Sequence, residues 1–287
     1  MSRRNADRIL NGGFSAAAVL ASSIVVVILA FVMREAWPAL TALGISRFFT
    51  DSAWRPTAGS DASYGAGAML AGSLLVTVGA VVVAGVPGIL SALFIQFYAP
   101  RSVAVIYRRI IELLAGIPSV VFGFWGLVVL VPVINRLSPP GQSLLAGVLV
   151  LSLMILPTIA VTAESSLRSV PRSYGIAATA LGMGRWATIW HITLPVARRG
   201  IAAGFLLAAA RAVGETMAVV MVCGNIIQVP DSPFAPVRTV TANIAMEMGD
   251  AQAEHRSALF VTGLMLMLLV AALLIAAGGP RRSDVHG

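Results

Sequence analysis

The chain has 287 residues, of which 58% are hydrophobic and only 11% are charged, and its mean hydropathy is +0.89. Soluble domains carry about 25% charged residues, so this composition excludes an ordinary soluble protein and predicts an integral membrane protein. The long continuous apolar runs favour helices over a barrel, whose strands would alternate in polarity. All the positive charge comes from arginine, since the sequence contains no lysine. A nucleotide-binding loop of the form G-x-x-x-x-G-K-[ST] is therefore excluded, and we expect any ATP hydrolysis to occur in a separate subunit.

The net charge of +8 predicts basic cytoplasmic loops rather than nucleic-acid binding, because the sequence contains no basic soluble domain. Cys223 is the only cysteine, so an intrachain disulfide is impossible. The three histidines, His191, His255 and His286, lack the spacing of metal ligands. The sequence also offers no convincing pair of nucleophile and base. We therefore expect no metal, no cofactor and no catalysis in this chain.

Six apolar segments are long enough to cross about 30 Å of hydrocarbon, which requires about 20 helical residues. In chain order they are Phe14–Met33, Ala66–Phe97, Arg108–Ile134, Ser143–Ala163, Val196–Ile227 and Ser257–Ala277. We predict an all-α integral membrane protein with about six transmembrane helices. Its transmembrane domain (14–277) lies between an N-terminal segment (1–13) and a C-terminal tail (278–287).

The arginines predict the orientation of these helices. If the N-terminus is inside, the inner side collects Arg3, Arg4, Arg8, Arg101, Arg108, Arg109, Arg168, Arg172, Arg185, Arg198, Arg199, Arg281 and Arg282. The outer side then holds Arg34, Arg47, Arg55, Arg136, Arg238 and Arg256. Because cytoplasmic loops are enriched in basic residues, this bias predicts that both termini are cytoplasmic.

The fifth segment carries a charged pair in its apolar middle, Arg211 and Glu215, within the sequence AAARAVGETMAVVMVCGN. A charge at the centre of an inserting helix costs about 2.5–3.5 kcal/mol, so charges kept there are expected to have a use. Their i, i+4 spacing predicts one shared helix face, where they can pair and can contact a polar solute. Asn225 follows Arg211 by nearly four turns and is a weaker candidate for the same face. The alternative is an ion pair that fixes helix packing without touching solute.

Arg211 is the leading candidate for solute contact, because its planar guanidinium offers several N–H donors that match an oxyanion. Glu215 has two possible roles, which the sequence does not separate. It can neutralise Arg211 while the pathway is empty, or it can accept a proton-bearing oxygen of the solute.

Two predicted outer loops, Arg34–Gly65 and Gln228–Arg256, are long enough to carry function. A short helix is predicted within the second loop, over Thr239–Met248. These loops can receive an external partner or form a solvated cap.

The predicted inner loop from Glu164 to Arg199 contains YGIAATALGMGRWATIWHITLPVARRG, which starts at Tyr174. Its alanines predict a short helix, which the glycines after it would end. Trp186, Ile189 and Trp190 then follow at i, i+3 and i+4, which predicts one apolar face. Such a face can seat in the groove of a partner protein. The alternative is a helix at the membrane surface with its tryptophans among the lipid headgroups.

The same loop resembles the cytoplasmic EAA loop of ABC importer permeases, whose pattern is E-A-A, three residues, G, nine residues, I-x-L-P. Six residues match that spacing: Ala177, Ala178, Gly182, Ile192, Leu194 and Pro195. Ile176 stands in the place of the glutamate. The resemblance implies that this loop docks onto an ATP-hydrolysing subunit.

Three further stretches are similar to the permeases of phosphate transporters. They are GIPSVVFGFWGLVVLVP (Gly116–Pro132), RAVGETMAVVMVCGN (Arg211–Asn225) and TANIAMEMGDA (Thr241–Ala251). The second stretch is similar to the PstC type in particular, and the resemblance covers the chain from about Arg8 to Ala277. It implies a type I ABC importer permease fold, a bacterial cytoplasmic (inner) membrane location, and a channel-forming subunit of an ATP-driven phosphate importer that works by alternating access.

The family also implies partners that the sequence itself does not contain. These are a second, PstA-like permease, a dimer of ATP-binding subunits and an extracytoplasmic phosphate-binding protein. Two alternatives remain open: a permease for another oxyanion such as sulfate, molybdate or tungstate, and a membrane signalling or scaffold protein that reports phosphate status. A self-contained secondary transporter is less favoured, because the sequence shows no inverted repeat and has the docking loop.

Overall fold

The computed structural model describes residues 3–51 and 53–277. The predicted C-terminal tail (278–287) lies outside the described residues, as do Met1, Ser2 and Ser52. From Arg3 onward, the predicted N-terminal segment is part of the first helix.

Helices dominate the described residues. The longer ones are α1 (Arg3–Leu43), α3 (Gly67–Leu93), α4 (Arg101–Gly116), α7 (Leu144–Arg168), α10 (Leu194–Val213) and α13 (Ala253–Ala277). The shorter ones are α2 (Arg47–Thr50), α5 (Ser119–Trp125), α6 (Val131–Asn135), α8 (Arg172–Ala180), α9 (Arg185–Thr188), α11 (Met217–Val222) and α12 (Val240–Glu247). Turns of π-helix follow three of them, at Phe94–Tyr98, Gly126–Leu130 and Ile189–Thr193. Strands β1 (Trp54–Arg55) and β2 (Ser63–Tyr64) form an antiparallel hairpin with Trp54 opposite Tyr64.

Five helical stretches of the described chain are long and apolar enough to cross a membrane. They are Gly13–Leu43, Gly67–Tyr98, Leu144–Arg168, Arg185–Val213 and Glu254–Ala277. A sixth candidate is the pair Arg101–Gly116 and Ser119–Asn135, whose two halves meet at 90°. These findings confirm the predicted all-α membrane protein with about six spans.

Helices α3 and α7 run parallel through the centre of the bundle. A Cβ at Gly79 would lie 2.6 Å from Val148, and a Cβ at Gly88 would lie 2.8 Å from Ile159. Only glycine therefore permits this backbone approach, which is how small residues drive helix association in lipid.

The hairpin, the C-terminal part of α1 and the N-terminal part of α13 form a second packed region. Ser257 accepts a hydrogen bond from Ala39 N at 3.0 Å and donates one to Glu35 O at 2.7 Å, which joins the two helices. Phe48 and Tyr64 are fully or nearly fully buried in this region. We call this side of the bundle the hairpin end, and the opposite side, which carries α8 and α9, the docking-loop end.

The short helix predicted in the second outer loop is confirmed as α12. Thr239 caps it, since its Oγ1 accepts from Ala242 N at 3.2 Å.

The third predicted segment, Arg108–Ile134, is wrong as a single helix. Chain direction changes by 90° between α4 and α5. Ile117 is extended (φ −69°, ψ 129°), because the ring of Pro118 disfavours helical geometry in the residue before it. We call this break, from Gly116 to Pro118, the elbow.

Candidate substrate pathway and docking loop

Arg211 lies at mid-depth in the bundle. Helix α10 runs antiparallel to α7, with Gly200 packed on Ser166 and Gly204 packed on Thr162. Seven residues beyond Gly204 the same register places Arg211 opposite residue 155, which is close to the centre of α7. The Arg211 side chain therefore starts from a helix position that lies within the hydrocarbon core of a membrane.

The Arg211 side chain is exposed on the surface of the single subunit. The ion pairs among the side chains that the structure describes (13–51, 53–59, 61–252 and 254–277) do not include it. A charge at this depth is stable only if it faces water or protein rather than lipid. We therefore place Arg211 against an aqueous pathway or a neighbouring subunit.

The predicted helix face shared by Arg211 and Glu215 is wrong. Helix α10 ends at Val213, and α11 begins only at Met217. In the break, the Glu215 carboxylate accepts from Ala218 N at 3.3 Å. The Glu215 carbonyl accepts from Thr241 Oγ1 at 2.8 Å, so a neighbouring segment holds a carbonyl that a continuous helix would have used. The break places unwound backbone beside Arg211, an arrangement that solute sites of membrane transporters use.

Asn225 also departs from the predicted position, because α11 ends at Val222. Asn225 has a positive φ of 55°, a conformation that asparagine tolerates better than most residues. Its Nδ2 donates to Val220 O at 2.7 Å, and its carbonyl accepts from Arg238 Nε at 2.8 Å. Within the described residues its Oδ1 is buried without a hydrogen-bond partner. Asn225 thus lies in a tight turn with its amide nitrogen bonded within the chain, and its contact with the solute stays a prediction.

Helix α5 packs directly beside the broken segment. A Cβ at Gly123 would lie 2.7 Å from Ala218 Cα. At the start of α5, Ile117 and Leu153 line one shallow cavity of about 270 Å³. Since Leu153 is two residues from the position opposite Arg211, the elbow and Arg211 lie at nearly the same depth.

The first part of the docking loop forms as predicted. Helix α8 carries Ala177, which is exposed, and Ala178, which is fully buried. It ends before Gly182, whose φ of 73° favours glycine. Ile176, at the position of the usual glutamate, is 69% exposed.

The second part differs in one residue from the predicted apolar face. Trp186 and Trp190 are largely exposed and meet edge to face, with ring centroids 5.5 Å apart. Ile189, the first residue of the π-helical turn, is buried against the chain instead. Arg185 lies over the ring of Tyr98 at 5.2 Å, which ties α9 to the end of α3.

The last part of the EAA-like pattern leads directly into α10. Ile192 lies in the π-helical turn, Leu194 is the first residue of α10, and Pro195 follows it. Arg185–Val213 is one helical stretch. Trp186, Trp190 and Arg211 are therefore carried by the same continuous element.

A buried carboxylate at the docking-loop end is missing from the sequence predictions. Glu164 is nearly fully buried and forms ion pairs with Arg108 of α4 and Arg168 of its own helix. Arg108 Nε donates to its Oε2 at 3.1 Å. Arg108 and Glu164 are 56 residues apart, so no local spacing pattern indicates that they pair.

A second missed cluster is centred on Glu247 at the hairpin end. Its carboxylate accepts from Trp54 Nε1 at 2.7 Å and from Arg238 Nη1 at 2.9 Å, and it lies 2.9 Å from His255 Nε2. The cluster joins β1, α12 and α13. In the described ranges, no three His, Cys, Asp or Glu side chains are placed to hold a metal ion.

Comparison with known proteins identifies the family. The model for binding-protein-dependent transport system inner membrane components matches residues 84–278. The chain belongs to this family. It is 41% identical over 226 residues to the probable ABC transporter permease protein YqgH of Bacillus subtilis (strain 168), across 77% of this chain and 73% of that protein. It is 34% identical over 260 residues to the phosphate transport system permease protein PstC of Xylella fastidiosa (strain Temecula1), across 83% of this chain and 79% of that protein.

A solved structure agrees with this assignment at the level of the fold. A chain of the MetNI methionine ABC transporter in an inward-facing conformation superposes with a TM-score of 0.57 at 17% identity. The match covers 72% of this chain and 90% of that one. The predicted ABC importer permease fold and the resemblance to PstC-type permeases are confirmed. The chain is a multi-pass ABC importer permease component of the inner membrane.

Proposed function

We propose that this chain is the transmembrane channel-forming subunit of an ATP-driven importer of inorganic phosphate. The observation that carries the proposal is Arg211, an exposed arginine at mid-depth that is followed by a break in the helix. The chain that contains it is similar to a permease named PstC. A guanidinium binds tetrahedral oxyanions through paired N–H donors and keeps its charge at any physiological pH. A transport site must also release its ion, and Glu215 supplies a nearby negative charge that weakens the hold.

Energy enters through the docking loop. Trp186 and Trp190 form an exposed apolar surface, which suits burial in an ATP-binding subunit. Because that surface is continuous with α10, movement of the loop reaches Arg211. In this proposal a second, PstA-like permease completes the pathway, two ATP-binding subunits hydrolyse ATP, and an extracytoplasmic binding protein delivers phosphate. This chain holds no cofactor, performs no catalysis, and works by alternating access with both termini and the loop 164–199 in the cytoplasm.

The test is ATP-driven uptake of labelled phosphate by the reconstituted complex. Arg211→Ala removes two or more charge-assisted hydrogen bonds and should lower uptake about 100-fold, which corresponds to ~3 kcal/mol. Arg211→Lys should retain part of the uptake, and Arg136→Ala, at an exposed arginine between α6 and α7, serves as the matched control. Normal uptake by Arg211→Ala with intact assembly would contradict the proposed site.

The same vesicles test the choice of oxyanion. Excess sulfate, molybdate or tungstate should leave labelled phosphate uptake unchanged. Efficient inhibition of phosphate uptake by one of them would indicate that this oxyanion, rather than phosphate, is the transported solute. A signalling or scaffold protein would assemble with its partners but show no uptake with or without ATP.

A further inference from the structure

A second arginine and glutamate face the subunit surface from α4. The ion pair of Arg108 with Glu164 anchors the middle of α4 near the docking-loop end of α7, and Ile117 lines the same cavity as Leu153, which is near the centre of α7. Helix α4 therefore climbs from the docking-loop end to mid-depth. Glu112 is five residues from the elbow, or about 8 Å at 1.5 Å per residue.

Arg109 and Glu112 lie in this half of the membrane and form no ion pair among the described side chains. Both side chains are exposed. Half the hydrocarbon thickness is about 15 Å, so a carboxylate about 8 Å from the centre is within it. An ionised group at that depth faces water or protein, not lipid tails.

The two side chains open into a cleft of about 560 Å³, which is much larger than one phosphate ion. The cleft is lined by Arg109, Glu112, Leu113, Gly116, Ile117 and Pro118. One edge of the cleft is the elbow, which lies at nearly the depth of Arg211, so the cleft occupies the depths between Arg211 and the docking-loop end.

We propose that this cleft is a second binding station for a tetrahedral phosphate group, on the docking-loop side of Arg211. Arg109 supplies the guanidinium donors that match phosphate oxygens, and Glu112 limits how tightly the anion is held. An arginine with a glutamate thus recurs at two successive depths, which lets an ion leave the first station by entering the second. The inference rests on the proposed function for the source of the ion. An anionic phospholipid presents the same chemical group and would use the same donors.

A single-cysteine reporter tests the cleft in the complete transporter. Leu113 is 72% exposed and lines the cleft, whereas the native Cys223 is fully buried. We replace Leu113→Cys and follow its modification by a membrane-impermeant thiol reagent applied from the docking-loop side. Millimolar inorganic phosphate should slow modification about fivefold or more, a modest ligand coupling, and chloride at equal ionic strength should not.

Matched variants assign the effect to Arg109. Adding Arg109→Gln should abolish the protection by phosphate. Adding Arg101→Gln, an exposed arginine of the same helix outside the cleft, should preserve it. Failure of the reagent to reach Leu113→Cys, or modification that neither phosphate nor anionic lipid slows, would overturn the proposal.

Lipid composition separates the two sources of phosphate. In vesicles of phosphatidylcholine alone, protection must come from added inorganic phosphate. If phosphatidylglycerol protects without added phosphate, a lipid headgroup is the occupant. Measuring the modification of Leu113→Cys requires no transport. Absence of ATP-driven phosphate uptake would therefore contradict the proposed function, whereas the binding site in the cleft would still be tested by whether phosphate slows the modification.

Discussion

Some arginines of this chain join helices through ion pairs, and others are not in an ion pair. Residue type and sequence spacing do not tell the two kinds apart. Arg108 is held by Glu164, a residue 56 positions away, and joins two helices. Arg211 forms no ion pair among the described side chains, and in the proposed function it binds the solute. What separates the roles is the tertiary neighbourhood, because a carboxylate within reach neutralises the charge that an anion would otherwise meet.

The exposed tryptophans of the docking loop yield a residue-scale prediction. Trp186→Asp places a charge in a surface that must be buried on docking, and it should weaken association with the ATP-binding subunit by about 2 kcal/mol, or roughly 30-fold. Trp186→Phe keeps an apolar ring and should retain most of the affinity. Co-purification and ATP-coupled uptake measure both effects, and unchanged association of Trp186→Asp would show that this surface does not dock.

Glu247 yields a second residue-scale prediction, which concerns stability. Glu247→Gln removes the charge that Arg238 and His255 share but keeps an acceptor for Trp54. Hydrogen bonds to charged groups are worth about 1.5–3 kcal/mol, so the variant should unfold at a lower temperature. Asp231→Asn, at an exposed loop position, is the control. An equal midpoint for the two variants would mean that the cluster does not stabilise the hairpin end.

At the scale of elements, breaks in the helices decide where function can reside. The elbow interrupts the third predicted segment, and the unwound residues 214–216 interrupt the fifth. Proline explains the elbow locally, whereas the second break also depends on Thr241, which bonds the freed Glu215 carbonyl. Backbone that leaves a helix at membrane depth must find such partners, since lipid provides none.

The crossing of α5 and α11 gives a prediction at this scale. A Cβ at Gly123 would conflict with the backbone of Ala218 at 2.7 Å, so Gly123→Ala should destabilise the subunit by about 1–3 kcal/mol through overpacking. Gly13→Ala is the matched control, because nothing lies within 4 Å of its added Cβ and alanine favours the helix. Thermal unfolding of the purified complex compares them, and a stable Gly123→Ala would mean that the two helices separate at little cost.

At the scale of the whole molecule, the bundle has two chemically distinct ends. The hairpin end carries the Glu247 cluster and short strands, and the docking-loop end carries α8, α9 and the Glu164 cluster. The excess of arginine toward the second end predicts that it faces the cytoplasm.

Single-cysteine labelling tests this orientation. Cys223 is buried and should not react with the thiol reagent. Tyr174→Cys, at an exposed position of α8, should react with an impermeant reagent only in inside-out vesicles, and Asp231→Cys only in right-side-out vesicles. The reverse pattern would invert the proposed topology and place the tryptophan surface away from ATP.

The sequence by itself determined the membrane environment, the six apolar segments, the glycine-ended α8 and the family, because these follow from composition, length and short local patterns. Tertiary structure decided the rest. The elbow angle, the break after Arg211 and the pairing of Glu164 depend on which helices meet. The free energy that stabilises those contacts comes from packing and from hydrogen bonds between distant parts of the chain. Local sequence patterns therefore do not predict them.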